Sequence, residues 1–375
     1  METQIIWEGE NGMPDSVWVE TAVGEGVAPL LYWHFQITGW PVLIPSQVQE
    51  ALTHTYYNTL AQNTVMLTEL EKLLNLFLQA DIPVMVLKGG ALADGYYDDI
   101  GLRPMHDLDL LIPEAKIEQA LTIITGMGYQ PAEQEIIPGI NRQISHNEYW
   151  RGGPGGRVGV ELHWNLIAGH ADDRTISVDW FWEQMENLPG RSRIFRDQQI
   201  PQLNPTAHLL YLAAHLMLRH EGRNERLIWF YDVDRLIRSG RVDWEVIEKL
   251  AQSFGWGALV RYVIEGATSR FGTPFPPEVV NRLCSEIEWH KFLVARQKMA
   301  GHITRFEQTW RSLRHLAWPL RGKMIFALFF PSPDYLRWRY RPKPVWIWPI
   351  YYLYRWGEVI KELLENLNPF GKQSR

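Results

Sequence analysis

The sequence predicts an α+β protein, with a sheet flanked by helices and then a C-terminal helical domain. Three observations carry that prediction. A strand–Gly-Gly–helix–strand unit runs from Pro83 to Ile112, PVMVLKGGALADGYYDDIGLRPMHDLDLLI. A hairpin pattern follows between Ser145 and Trp164, with the Gly/Pro cluster Gly152 to Gly156 as its turn. From Asn204 onward apolar residues recur at three- and four-residue steps, the period of helices.

Residues 1–45 show no clear period, and VAPLLYWHFQITGWPVLIP suggests a short helix and a turn without chemistry. Pro45 and Ser46 then open a helix that reaches about Ala80. Its apolar positions are Val65, Leu67, Leu70, Leu73, Leu74, Phe77 and Leu78. Asp81-Ile82-Pro83 breaks it and feeds a strand, Val84 to Leu87, that stops at Lys88-Gly89-Gly90. A short helical segment leads to a second strand carrying Asp107 and Asp109. Residues two apart in a strand share a face, so the two carboxylates project together while Leu108, Leu110 and Ile112 face the core. Two such carboxylates repel unless a cation joins them, and a hard divalent ion with oxygen ligands suits the pair. Gly-Gly at a strand-to-helix junction admits a phosphate to backbone N–H groups. In one unit these features point to phosphoryl or nucleotidyl transfer, although either alone is common.

Lys88 has two readings here, a triphosphate contact or a solvated strand-end lysine. Arg103, four residues before Asp107, can meet a triphosphate, brace the aspartates or form a salt bridge within its loop. Asp94, Asp98 and Asp99 read as surface charges, and His106 points away from the aspartate face of a regular strand. Glu114 to Met127 reads as a helix ended by Gly128. In RVGVELHWNL, Val158, Val160, Leu162 and Trp164 alternate with Gly159, Glu161 and His163. Glu161 can therefore serve as a third carboxylate or as a base for an attacking hydroxyl. His163 shares that face, but imidazole is not a usual Mg2+ ligand. Asp172 to Gln202 reads as an irregular connector with one short helix.

In the helical half, His208 and His215 lie seven apart, and His215 and His220 five apart. A second helix, ERLIWFYDVDRLIRSG, carries Asp232, which can orient His215 or lie on the surface. Further helices span Asp243 to Phe254, Gly257 to Arg270 and about Glu278 to Met299.

LKGGAL…RPMHDLDLLI and VELHW resemble the polymerase-β-like nucleotidyltransferase superfamily. The longer form of the motif is similar to an uncharacterised bacterial nucleotidyltransferase family related to the AbiEii-type and minimal nucleotidyltransferases. The resemblance implies a core with a mixed sheet and flanking helices. It also implies Mg2+ or Mn2+ on Asp107, Asp109 and Glu161, and an NTP such as ATP at Lys88, Gly89, Gly90 and Arg103. His163, in the Leu-His-Trp strand that family members carry, becomes a candidate acceptor-side residue, as do His215 and Asp232, because the family carries histidines and a W-x-x-D helix in its helical domain. The expected organisation is an N-terminal extension (1–45), a catalytic domain (46–202), a helical domain (203–300) and an aromatic, basic segment (301–375).

Composition bounds this reading. The 375 residues are 46% hydrophobic and include 18 Trp, ample for sizeable cores. One cysteine, Cys284, excludes an internal disulfide and a Cys-based zinc site. Neither a signal peptide nor a membrane span is expected, which fits a cytoplasmic protein. The net charge of −6 hides an asymmetry, because residues 311–375 hold 12 Lys and Arg against 4 Asp and Glu. The acidic body makes a long nucleic acid an unsuitable partner. The tail reads as packing surface or as a peripheral contact with an anionic membrane. The expected reaction moves a nucleoside monophosphate from an NTP to a hydroxyl of a small molecule, glycan or protein, releasing pyrophosphate. The alternatives are a non-catalytic nucleotide- or partner-binding protein that keeps the fold, and a toxin-like enzyme acting on a protein or RNA.

Overall fold

The computed structural model describes residues 15–140, 142, 145–167, 176–195, 198–219, 225–299, 313, 316–341 and 343–367. Helices α1 (Asp15–Gly24) and α2 (Ala28–Thr38) precede the long α3 (Ser46–Gln79). The buried stripe of α3 includes Leu67, Leu70, Leu73, Leu74 and Phe77, as its period requires. Val65 and Leu78 lie off that stripe and are exposed.

The expected strand–helix–strand unit is β1 (Met85–Val86), α4 (Lys88–Gly95) and β2 (Asp107–Leu111), followed by α5 (Ile117–Gly126). Of the acidic residues between β1 and β2, Asp94 is not a surface charge. It is buried and accepts the backbone N–H groups of Arg191 and Ser192. Strands β3 (Gln130–Pro131), β4 (Asn147–Gly152) and β5 (Val158–His163) come next. The β4–β5 turn uses Gly153, Gly155 and Gly156 at positive φ, which a Cβ would disfavour.

The segment read as a connector holds its one short helix, α6 (Val178–Glu183), but also strands β6 (Met185–Pro189) and β7 (Gln199–Leu203). Pro189 and Pro201 hid them, since proline argues against a central strand. Pro189 lies at the end of edge strand β6, where a missing N–H costs little.

The seven strands form one sheet in the order β3-β4-β5-β2-β1-β7-β6. It is mixed, because β2 pairs with β5 and β1 with β7 in parallel while the other neighbours are antiparallel. One face is mostly apolar, with Gln202 opposite Val86 and Glu148 opposite Leu162 as its polar members. Val86, Leu108, Leu110, Ile112, Val160 and Leu162 pack there with α3 and α5 residues. The other face divides along its length. Met85, Leu87, Leu111 and Leu203 join the core of the helical half, and Asp107, Asp109 and Glu161 stand beyond them.

That half begins with α7 (Pro205–Ala214), whose cap Asn204 accepts from Ala207 N–H, and continues through a π-helical turn, His215–Arg219. Then come α8 (Leu227–Arg238), α9 (Trp244–Ser253), α10 (Gly257–Phe271), α11 (Pro277–Leu283) and α12 (Glu286–Met299). The single helix expected over 278–299 is broken at Cys284-Ser285. Ser285 and Glu288 exchange bonds there, Ser285 N–H to the Glu288 carboxylate and Glu288 N–H to Ser285 Oγ. That reciprocal cap starts α12 afresh. Ala28, Tyr32 and Phe35 of α2 pack in the same core as the helical half, so the N-terminal helices are part of this layer.

The C-terminal segment forms α13 (Trp318–Phe329), α14 (Pro333–Arg339) and α15 (Tyr351–Leu367) around a small core of Leu336, Tyr340 and Tyr351. Trp356 and Arg355 donate to main-chain carbonyls of α13, while Trp318 and Trp346 remain exposed. Among the described residues, no helix is long and apolar enough to cross a membrane.

One buried ion pair ties the sheet layer to the helical half. Arg103 donates Nε and Nη2 to the two carboxylate oxygens of Asp232 at 2.8 and 2.7 Å, and Tyr97 Oη donates to the same carboxylate. Removing one partner strands a buried charge. Asp232→Asn is therefore expected to lower unfolding stability by about 3 kcal/mol, and Arg103→Met with Asp232→Leu by less than the single change. Urea denaturation of the three variants checks this, and wild-type stability in Asp232→Asn would refute it.

Candidate active site

Strand register gathers the acidic residues. Asp107 and Asp109 share one face of β2, and Glu161 lies directly opposite Asp109 on β5. Asp109 is buried, and its Oδ1 accepts from Lys88 Nζ at 2.6 Å and lies 3.0 Å from His163 Nε2. Lys88 Nζ is also 3.8 Å from Glu161 Oε2, and His163 Nε2 is 3.4 Å from that oxygen. Asn147 Nδ2 on β4 donates to the other Glu161 oxygen.

Electrostatics divides the pair on β2. Burial raises the Asp107 carboxyl, and the negative charges of Asp109 and Glu161 push it further, to about 6. Burial acts against the Asp109 charge as well. There the Lys88 ammonium and the His163 hydrogen bond outweigh it and hold the carboxyl well below its usual range. For His163, burial opposes the charged ring, but hydrogen bonds to Asp109 and Glu161 raise its pKa.

The two glycines part company. Gly89 lines the cleft, and a Cβ there would stand 2.7 Å from Arg103 Nη1. Gly90 faces Val86 and Leu70 in the core. Lys88, the first residue of α4, adopts φ of 42°, and that unusual turn accompanies the reach of its ammonium to Asp109.

Lys88, Gly89, Asp107, Asp109 and Glu161 line one wall of a cleft of about 480 Å3. The facing wall comes from the helical half through His215, Arg226, Ile228 and Trp229. A smaller cavity of about 50 Å3 behind it reaches Lys88, Arg103, His215 and Asp232. Candidate acceptor-side His215 thus lines both spaces. The Arg103 guanidinium is committed to Asp232, with an edge toward Gly89, and Asp232 in turn serves Arg103 and Tyr97. His208 does not join the residues lining the cleft. It is fully buried beside Tyr96, and burial pushes its ring down to about 3. His220 lies outside the described residues.

His106, Tyr149, Arg226 and Trp229 also line the cleft, although the sequence pattern did not place them there. His106 lines the cleft because β2 starts only at Asp107, so strand alternation does not govern it. Arg226 caps α8 and Trp229 is the W of its W-x-x-D pattern, which marks the helix but not its approach to the acidic strands. Tyr149 on β4 lines the cleft and reaches across Gly159, the residue opposite Asp107, where a Cβ would collide with its ring. A glycine inside a strand was the available signal of that close approach.

The donor set fits a divalent cation. Ligand atoms of Asp109, Glu161 and His163 all lie within 4.8 Å of one another, and Asp107 adds a carboxylate along the same strand. The lodged Lys88 ammonium shows the cluster's demand for positive charge.

In the absence of metal, the Asp107 shift has a definite sign. From 3.8 to about 6 the folded chain keeps a proton that the unfolded chain has released, so this group lowers stability as pH rises through that window. Asp109 acts oppositely, and its contribution is lost only at strongly acid pH. With EDTA present, Asp107→Asn should therefore gain stability over wild type between about pH 4 and 6. Urea midpoints across that range test it, and a constant difference between the two proteins would contradict it.

The profile of a family described as an uncharacterised nucleotidyltransferase matches residues 16–272. No curated protein matches the chain significantly. Among solved structures, an antigenic nucleotidyltransferase-like protein from Paracoccidioides brasiliensis matches with a TM-score of 0.35 and 15% identity, over 58% of this chain and 92% of that one. The family match runs from α1 to the end of α10, through the sheet and both walls of the cleft, and the chain belongs to this uncharacterised nucleotidyltransferase family.

Proposed function

We propose that the chain transfers a nucleoside monophosphate from an NTP to a hydroxyl group, with a divalent cation as cofactor. The observation that carries this reading is the registered set Asp107, Asp109 and Glu161 beside Gly89 at the start of α4. Asp109 and Glu161 hold the cation, and Asp107 supplies the neighbouring carboxylate. When bound, the cation neutralises charge developing on the phosphoryl oxygens. Lys88, released from Asp109, pairs with the triphosphate, whose oxygens also meet the backbone amides opening α4. The acceptor oxygen bonds the α-phosphorus as the α–β anhydride bond breaks. Pyrophosphate leaves, and the hydroxyl proton passes to a cleft carboxylate. His215 and Trp229, on the facing wall, bound the space for the acceptor.

A second reading, nucleotide binding without turnover, is favoured by one observation. The Lys88 ammonium bonds Asp109 at 2.6 Å and lies 3.8 Å from Glu161, so a protein cation already offsets these carboxylates.

Purified protein incubated with each α-labelled NTP, Mg2+ or Mn2+ and cell extract is expected to yield a labelled product. EDTA should abolish it, and Asp109→Asn or Glu161→Gln should each lower it by about a hundredfold or more. Transfer that survives both substitutions would exclude this metal site. Nucleotide binding without any transfer would establish the second reading.

A further inference from the structure

We propose that His163 is a direct ligand of the bound cation, and that the site formed by Asp109, Glu161 and His163 selects Mn2+ over Mg2+. The inference rests on the cleft binding a cation, as the nucleotidyl-transfer reading requires. It adds a donor of a different chemical kind.

Three observations converge on the ring. His163 ends β5 on the face of Glu161, so its position is set by the same register that places the carboxylates. Its side chain is only 2% exposed and its Nε2 is aimed at Asp109 Oδ1 and Glu161 Oε2, 3.0 and 3.4 Å away. Among the described residues, its Nδ1 has no hydrogen-bond partner. A buried imidazole with an orphaned nitrogen costs stability that an apolar residue would not. What the ring contributes in return is Nε2, beside two carboxylates.

The spacing also suits coordination. Donors about 2.1 Å from an ion and at right angles around it lie about 3.0 Å apart. The Nε2–Oδ1 separation equals that value and Nε2–Oε2 is slightly wider. A hydrogen bond explains the first contact, but one N–H does not serve both carboxylates well. Lys88 Nζ rests on the same two oxygens, marking the position as one that holds positive charge.

Ligand chemistry then decides between ions. Mg2+ prefers oxygen donors and gives up water reluctantly, whereas first-row transition ions accept imidazole nitrogen. A site that spends one position on a buried imidazole therefore discriminates against Mg2+. Asp107, which lies outside the tight donor cluster, remains for a nucleotide-associated ion or for proton transfer.

The test uses the full chain without nucleotide. Isothermal titration should show Mn2+ binding about tenfold or more tighter than Mg2+, and His163→Ala should bring the two affinities together. Electron spin echo envelope modulation of the Mn2+-loaded wild type should show nitrogen coupling from a directly bound imidazole. This second readout needs no variant to fold. Equal affinities in wild type, no binding of either ion, or Mn2+ without nitrogen coupling would each overturn the proposal. Label transfer with Mn2+ but no nitrogen coupling would refute His163 alone. Nitrogen coupling without label transfer would leave the ligand assignment standing and refute the nucleotidyl-transfer reading.

Discussion

Strand register forces like charges together, and the rest of the cleft answers to that constraint. Leu108 and Leu110 of β2 and Val160 and Leu162 of β5 are fixed in an apolar core. A slip of one residue would turn those side chains out and bring Asp109 and Glu161 into the core, so the register is not free to relax. The carboxylates must then be compensated where they stand. Lys88, His163 and Asn147 do so from the start of α4, from β5 itself and from β4. Lys88 reaches Asp109 from a backbone turned to positive φ, at a cost of roughly 1–2 kcal/mol for a residue other than glycine.

The same sheet face explains why the helical half is needed. Beyond the acidic end it carries Met85, Leu87, Leu111 and Leu203, which are fully buried only because α7 and α8 residues pack on them. The cleft is the part of that interface where charge replaces apolar contact. The loop before β2 is held in place from both sides. Asn63 of α3 donates to the Arg103 carbonyl at 2.8 Å, and the Arg103 guanidinium crosses to Asp232 on α8. One residue therefore links the approach to the aspartates with the opposite wall. Its Nε and Nη2 are taken by Asp232, which leaves Nη1 beside Gly89 as the edge turned to the cleft.

The legible part of the site was the part with local periodicity. Asp107, Asp109, Glu161 and His163 could be placed on one face because a period of two is enforced by the apolar residues between them. The strand–helix–strand unit and the hairpin were visible for the same reason. Partnership across long separations was not. Asp232 is 129 residues from Arg103, and nothing in W-x-x-D announces a buried arginine as its partner. Arg226 and Trp229 enter the cleft only because α8 packs where it does. Strands β6 and β7 were hidden by their own prolines, and the start of α12 by a capping pair that a simple apolar period overlooks. The glycines show the limit most plainly. Gly89 and Gly90 are adjacent and alike in sequence, yet one borders the cleft and the other leaves room for Val86.

Lys88 gives the site its direction of response. Its ammonium and a divalent ion need the same oxygens of Asp109 and Glu161, so on the proposed reading they exclude one another there. An entering ion brings two charges for the one displaced and frees Lys88 beside Gly89, on the cleft wall facing Arg226. A triphosphate then meets two cations that it would not meet in the metal-free state. Ion and nucleotide should therefore strengthen each other's binding, and linkage makes that strengthening equal in both directions. On that reading the acidic register, which costs the metal-free protein stability, is the means by which metal and nucleotide binding are coupled.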